Sequence, residues 1–266
     1  MNQLNTNGAR NKGLYLLNIA ALAVVFYVNY LANALPLNGR TPGELSDLYP
    51  NLFVPAGLTF SIWGVIYLGL LIWVGMQAVA LLTGKQAPGA AKAGGWFLAT
   101  CALNIGWLLA WHWEQLLLSV GVMIALLYCI VRLNQAISNG VSAESAWEKW
   151  TAHLVFGLYQ GWITVALIAN VTALLVGAGW RGGTALAESD WAIIMVEAGA
   201  AIAVAMVWRF NHLFHGVAVV WALYGIYLKR MAEGSSDSTY VAWAAVAGMV
   251  LVAGFVVLNV RKWWSY

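Results

Sequence analysis

Eight stretches of about 20 mainly apolar residues divide this 266-residue chain. They run Leu14–Leu35, Gly57–Leu82, Gly95–Trp113, Leu116–Ile137, Thr151–Val176, Trp191–Trp208, Leu213–Leu228 and Tyr240–Val260. In hydrocarbon every backbone N–H and C=O must be paired within the chain, so such stretches fold as helices. Composition agrees. Hydrophobic residues make up 62% and charged residues 9%, against roughly 25% charged in a soluble domain. The fold class that follows is an all-α integral membrane protein with about eight transmembrane helices. No extramembrane domain fits between the spans. The formal charge of +3 is spread over loops and supports no nucleic-acid partner. Cys101 and Cys129 lie inside the third and fourth spans. They imply two reduced thiols rather than a disulfide framework or a cysteine metal site.

The connections carry information of their own. Only Glu114 and Gln115 separate the third and fourth spans, which makes these helices antiparallel neighbours. The Pro36–Ala56 connection holds four of the five prolines and reads as an ordered, non-helical loop packed over the bundle. A Gly-rich connection over 177–189 separates the first five spans from the last three. Arg10, Lys12, the apolar run and Ala32-Asn33-Ala34 have the outline of a signal peptide. The run is long, however, and Asn18, Asn29 and Asn33 share a face, so it reads as a retained first helix. Nine of the 13 Lys and Arg residues fall on the side of the two termini. The positive-inside rule makes that side cytoplasmic and puts the Pro-rich loop outside. The expected location is a bacterial inner membrane.

Three strings place polar and aromatic residues at helical spacing inside apolar runs. They are FSIWGVIY (Phe60–Tyr67), LNIGW (Leu103–Trp107) and YQGWITVALIAN (Tyr159–Asn170). An amide in the bilayer core costs free energy unless it is hydrogen-bonded. Within each string the singled-out residues are three or four apart and share a helix face. The second span enters from the loop side, whereas the third and fifth exit toward it. Trp63 and Tyr67, Asn104 and Trp107, and Trp162, Ala166 and Asn170 therefore lie at similar depth beneath the Pro-rich loop. This predicts a shared pocket with aromatic walls and a few polar handles, suited to a flat apolar ligand.

The strings and their order resemble the TspO/MBR family, the tryptophan-rich sensory proteins related to the mitochondrial translocator protein. The family's Trp-x3-Tyr is similar to Trp63 and Tyr67. Its Leu-Asn-x2-Trp is similar to Leu103, Asn104 and Trp107. Its Pro-Tyr-x2-Trp-x3-Ala-x3-Asn is similar to Leu158, Tyr159, Trp162, Ala166 and Asn170, with Leu158 in place of the proline. Leu108 stands where a proline usually follows the third-helix Trp, and the loop's Trp-x-Pro-Pro is reduced to Phe53, Val54, Pro55 and Ala56. The family's sterol-recognition stretch is not recognisable. The resemblance covers residues 14–176. It implies a five-helix ligand-binding bundle over 1–176, followed by the connection and three additional helices over 190–266. It also implies a sensory or carrier protein for porphyrins and other planar hydrophobic molecules. Ligand contacts would come from Trp63, Tyr67, Asn104, Trp107, Tyr159, Trp162, Ala166 and Asn170. No obligatory cofactor is implied; a porphyrin or haem-like tetrapyrrole would be ligand. Light-dependent porphyrin breakdown has been proposed for bacterial members.

Other features admit plainer readings. Trp96, Trp111, Trp113, Trp147, Trp150, Trp180, Trp191, Trp208, Trp263 and Trp264 sit near span ends and read as interfacial anchors. Asn104 and Asn170 could bridge helices instead of touching ligand. Gly157-x3-Gly161 reads as a close helix-packing site, with a homodimer interface as the other option. Glu197 is the lone acid well inside a span, hence a candidate proton or polar site at the pocket's depth. It motivates a second function, a proton-coupled small-molecule transporter. His112, His153, His212 and His215 read as solvated residues at span ends. Axial haem ligation from the fifth and seventh helices would instead make the protein a membrane electron carrier. No Walker sequence, His-Glu-x2-His site or Ser nucleophile elbow occurs.

Overall fold

The structure, a computed structural model, describes residues 2–138, 146–180 and 186–264. Within those, the side chains of 2–10, 88, 146–149 and 261–264 are left aside. Ten helices follow in order: α1 (Asn2–Ala34), α2 (Pro42–Asp47), α3 (Ile62–Thr83), α4 (Pro88–Ala93), α5 (Trp96–His112), α6 (Leu116–Ser138), α7 (Ala146–Gly177), α8 (Glu188–Phe210), α9 (Leu213–Glu233) and α10 (Ser236–Trp264). No strand occurs among the described residues. The eight long helices match the eight apolar stretches. α1, α3, α6, α7, α8 and α10 are each long and apolar enough to cross a membrane. α5, with 17 residues, and α9 pack among them.

Local chemistry fixes several helix ends. Gly84, Asn211 and Gly234 take left-handed conformations that terminate α3, α8 and α9. Between α5 and α6 Glu114 also has positive φ, +52°. Trp113 N–H bonds the Leu109 carbonyl at 3.1 Å and Gln115 N–H that of Ala110 at 2.9 Å. This turn makes α5 and α6 antiparallel neighbours, as the two-residue link requires.

The 36–61 connection corrects one expectation. It is ordered, but it contains the helix α2 and 3-10 turns at Leu37–Gly39 and Gly57–Ser61. Thr41 caps α2 in a capping box with Glu44, and Pro42 occupies its first turn. Thr41-Pro42-x-Glu44 is thus a helix-start signal inside a Pro-rich stretch.

α7 packs against α3, α6, α8 and α9. α1 lies against α3 and α5, and α10 against α8 and α9. The buried core is continuous across these contacts, from Ile66 and Trp73 through Phe156 and Ile163 to Ala218 and Val252. Gly157 and Gly161 seat α9 on α7. A Cβ on Gly161 would come within 2.5 Å of the His215 carbonyl, and one on Gly157 within 2.9 Å of Phe214. That contact is intramolecular, which removes this motif from the homodimer reading. Cys101 and Cys129 are free thiols, both buried. Leu82, Leu117, Val250, Val257 and Leu258 form part of a large exposed apolar surface, as lipid-facing helices require.

Candidate functional site

Two adjoining clefts open beneath the 36–61 connection. One spans about 600 Å³, open solvent at its mouth included, and is lined by Phe60, Trp63, Trp107, Trp111, Trp162, Ala166 and Asn170, with Pro42, Ser46 and Pro55 above. The other spans about 950 Å³, again with open solvent included, and adds Asn29, Asn33 and Tyr67. Pro42, Phe60, Trp63 and Trp107 belong to both. The three strings therefore converge from α3, α5 and α7. Their rings pack edge to face and in parallel. Trp63 stacks on Tyr67 at 5.2 Å, meets Tyr159 edge-on at 5.7 Å and Trp162 at 6.3 Å. Phe60 meets Trp162 at 5.8 Å. Such contacts fix the walls in place.

The asparagines have a different part. Asn104 lines neither cleft. It is 3% exposed, donating to the Tyr159 hydroxyl at 3.2 Å and accepting from Asn29 at 3.3 Å. Tyr67 closes the chain by donating to Asn29 Oδ1 at 2.7 Å. Asn170 accepts from Trp107 Nε1 at 2.8 Å and donates to Ser119 at 2.8 Å. Both amides bridge helices, and both thereby orient an aromatic wall. Tyr159 is buried behind Trp63 rather than lining the clefts. Trp63, Tyr67, Trp107, Trp162, Ala166 and Asn170 face them.

Trp162 stands apart from its neighbours. It is 3% exposed, it lines the first cleft, and its Nε1 has no hydrogen-bond partner. A buried indole N–H left unmet costs about 1–3 kcal/mol.

Sequence reasoning missed three contributors. Trp111 reads as an interfacial anchor, but it is 6% exposed, stacks on Trp107 at 6.1 Å and lines the first cleft. The connection above covers it, and Pro42 accepts its Nε1 bond at 3.3 Å. Asn29 completes the polar chain from α1; its face was visible in the spacing, its partners were not. Asn33 joins it on the second cleft. Trp147, Trp263 and Trp264 lie outside the residues whose side chains are described.

The covering segment is tied down on two sides. Toward α5 and α6, Arg40 pairs with Glu114 at 3.1 Å, Tyr49 donates to the same carboxylate at 3.0 Å, and Asn38 donates to the His112 carbonyl at 2.9 Å. Burial, with the Glu114 contact, pushes the Tyr49 phenol above its ordinary value. Toward α9, Ala56 N–H bonds the Gly225 carbonyl at 2.9 Å, Trp221 donates to the Thr59 carbonyl at 2.9 Å, and Lys229 pairs with Asp47 at 3.0 Å. Gly225 is needed here, because any Cβ would overlap the Thr59 side chain.

Glu197 does not join the site. It is exposed on α8 and lines neither cleft. The histidines also differ from expectation. His112 and His215 are 0% and 1% exposed, not solvated. His112 Nδ1 meets the Leu108 carbonyl at 2.7 Å, and His215 lies under the α7 glycines. Burial holds His212, in the α8–α9 connection, below its ordinary value. No group of three or more His, Cys, Asp or Glu residues suited to a metal ion occurs among the described residues.

Helical spans around a covered aromatic cleft define an all-α membrane protein, and a family match adds a sensory or ligand-binding role at a coarse level. Residues 15–258 match the family described as TSPO-like protein, and the chain belongs to that family. The match runs from α1 into α10. No curated protein and no solved structure matches.

Proposed function

We propose that the protein binds a small planar hydrophobic molecule, of which a tetrapyrrole is the family-implied case, in the clefts between α3, α5 and α7. The observation that carries this reading is the buried, unmet Trp162 Nε1 on the wall of the aromatic cleft. On the same wall Trp107 donates to Asn170 and Trp111 to Pro42, while Trp63 is half-buried and stacks on Tyr67. A ligand acceptor would meet Trp162 Nε1, and the 36–61 segment would act as its lid. In the membrane both termini are cytoplasmic and the lid faces outward, with nine cationic residues on the terminal side.

Quenching of tryptophan fluorescence in nanodiscs tests the reading. Trp162→Ala should weaken porphyrin binding roughly 5- to 150-fold, since a buried aromatic contributes about 1–3 kcal/mol. Trp243, exposed on α10, is the control, and Trp243→Ala should change little. Equal losses at both positions contradict the pocket. An absorption spectrum separates the haem-carrier alternative, which requires a strong Soret band without added ligand.

A second reading rests on Glu197, an acid within an apolar helix with no hydrogen bond or ion pair described. Proton-coupled transport would then make uptake of a substrate in vesicles depend on Glu197. Unchanged uptake in Glu197→Gln contradicts it.

A further inference from the structure

A separate cleft lies on the other side of the lid helix α2, away from the aromatic walls. It spans about 660 Å³, open solvent at its mouth included, between the 46–54 stretch of the lid, the start of α8 and the end of α9. Ser46 lines both this cleft and the first aromatic one, so α2 separates the two. Among the described residues no aromatic ring lines it. Its charged groups are Asp47, Glu188, Lys229, Arg230 and Glu233. Three carboxylates thus share the space with two cationic side chains.

Most of these groups are engaged. Lys229 pairs with Asp47 at 3.0 Å. Arg230 pairs with Glu233 at 2.7 Å through Nη1, and Ser238 donates to the same Glu233 oxygen at 2.7 Å. Asn51 serves its own loop, accepting from the Phe53 and Val54 N–H groups at 3.0 and 3.1 Å. Arg230 is the exception. It is 2% exposed, so its guanidinium forms the floor of the cleft, and its Nε is a buried donor without a partner. A guanidinium presents its donors in a flat fork that matches an oxyanion. Glu233 meets Nη1 and leaves Nε open.

These features ask different charges of a guest. The open Nε calls for an acceptor, best an oxyanion. The surplus of carboxylates opposes a guest of net negative charge and favours an ammonium. A zwitterion answers both. The depth is also informative. Glu188 opens the span α8 and Ser236 the span α10, so the cleft lies where spans meet lipid headgroups. Tyr240, exposed one turn into α10, marks the same level.

We propose that the polar cleft between the lid, α8 and α9 binds a small zwitterion, an oxyanion and an ammonium a few bonds apart, with the ethanolamine-phosphate headgroup of a membrane lipid as its occupant. Arg230 Nε donates to a phosphate oxygen, and Glu188 attracts the ammonium. Ser46 and Asp47 belong to α2, so an occupied cleft ties the lid to α8 and α9.

Phosphatidylethanolamine and phosphatidylglycerol with the same acyl chains share the phosphate and differ in the ammonium, which makes them the probe pair. Each is titrated against the full chain in detergent at neutral pH, and bound lipid is counted by native mass spectrometry. The ethanolamine lipid should bind about fivefold or more tightly than the glycerol lipid. Glu188→Gln removes the surplus carboxylate. It should weaken the ethanolamine lipid and strengthen the glycerol lipid, each about fivefold, whereas a merely structural role would move both the same way. Arg230→Lys should weaken both lipids, since both carry the phosphate. Glu188→Gln decides the matter if the Arg230 variant does not fold. Excess O-phosphoethanolamine distinguishes the sources: displacement of the lipid assigns the site to the free zwitterion as well, and retention assigns it to the lipid. Equal binding of the two lipids to the unmodified chain, or parallel shifts for both in Glu188→Gln, overturns the proposal.

Discussion

The two faces of α7 carry small residues for opposite reasons. On one face Gly157 and Gly161 leave room that α9 fills, with backbone atoms of His215 directly opposite. On the other face Ala166 and Ala169 line an unfilled cleft beside Trp162 and Asn170. In sequence both patterns read as small residues four or so apart in an apolar run. The difference lies in what stands across from them. A small residue against a neighbouring helix is a packing device, whereas one among aromatic walls with no helix across from it leaves space for a ligand.

Substitutions can break this contrast, and the packing face should respond most. Gly161→Val forces a side chain into the His215 backbone and should cost about 3 kcal/mol, the upper end of overpacking penalties. Thermal unfolding in detergent reads it, and an unchanged midpoint would deny the tight α7–α9 contact. Asn170→Leu should come next. It leaves Trp107 Nε1 without its 2.8 Å acceptor and should cost about 1–3 kcal/mol, measured the same way. Ala166→Leu should behave in the reverse manner to Gly161→Val. Its stability should stay within about 0.5 kcal/mol, while porphyrin affinity drops about tenfold because the cleft is filled. Loss of stability there would assign Ala166 to packing and erase the contrast.

The lid supplies the smaller effects. Asp47 is 69% exposed, so Lys229→Met should cost no more than about 1 kcal/mol. Its effect on ligand release should fade in high salt. The smallest response should come from acid. Hydrogen bonds from Thr41, backbone first, hold the Glu44 carboxyl below its ordinary value of 4.5. A lowered folded-state value stabilises α2 above the ordinary value, and that contribution disappears as pH falls through the lowered one. Protection factors over 41–47, taken against the intrinsic exchange rate at each pH, should therefore fall below pH 4.5 and stay constant between pH 8 and pH 6.

Much of this was legible in the chain. Apolar length gave the eight long helices, and helical spacing gave the faces of Trp63, Trp107 and Trp162. What escaped depends on contacts between distant segments. Trp111 sits where interfacial tryptophans sit, and only the lid above it makes it a wall. Asn29 shares a face with Asn18, yet Asn18 donates to Gln77 at 2.8 Å whereas Asn29 serves the site. His215 lies at a helix end but under two glycines of another helix. α2 was hidden for a different reason: its cap signal was present, but four prolines outweighed it. The unmet state of Trp162 Nε1 has no sequence signature, because it is set by what α3 and α5 fail to offer.

The central claim is that the space left by α7's second face is a ligand site. Photo-crosslinking with a planar porphyrin bearing a diazirine tests it most directly. Modified peptides should map to Phe60–Tyr67 at the start of α3, the Trp107–Trp111 turn of α5 and Trp162–Asn170 of α7, and excess unlabelled porphyrin should suppress them. Labelling confined to the lipid-facing sides of α8 and α10, or labelling that excess ligand leaves unchanged, would contradict it.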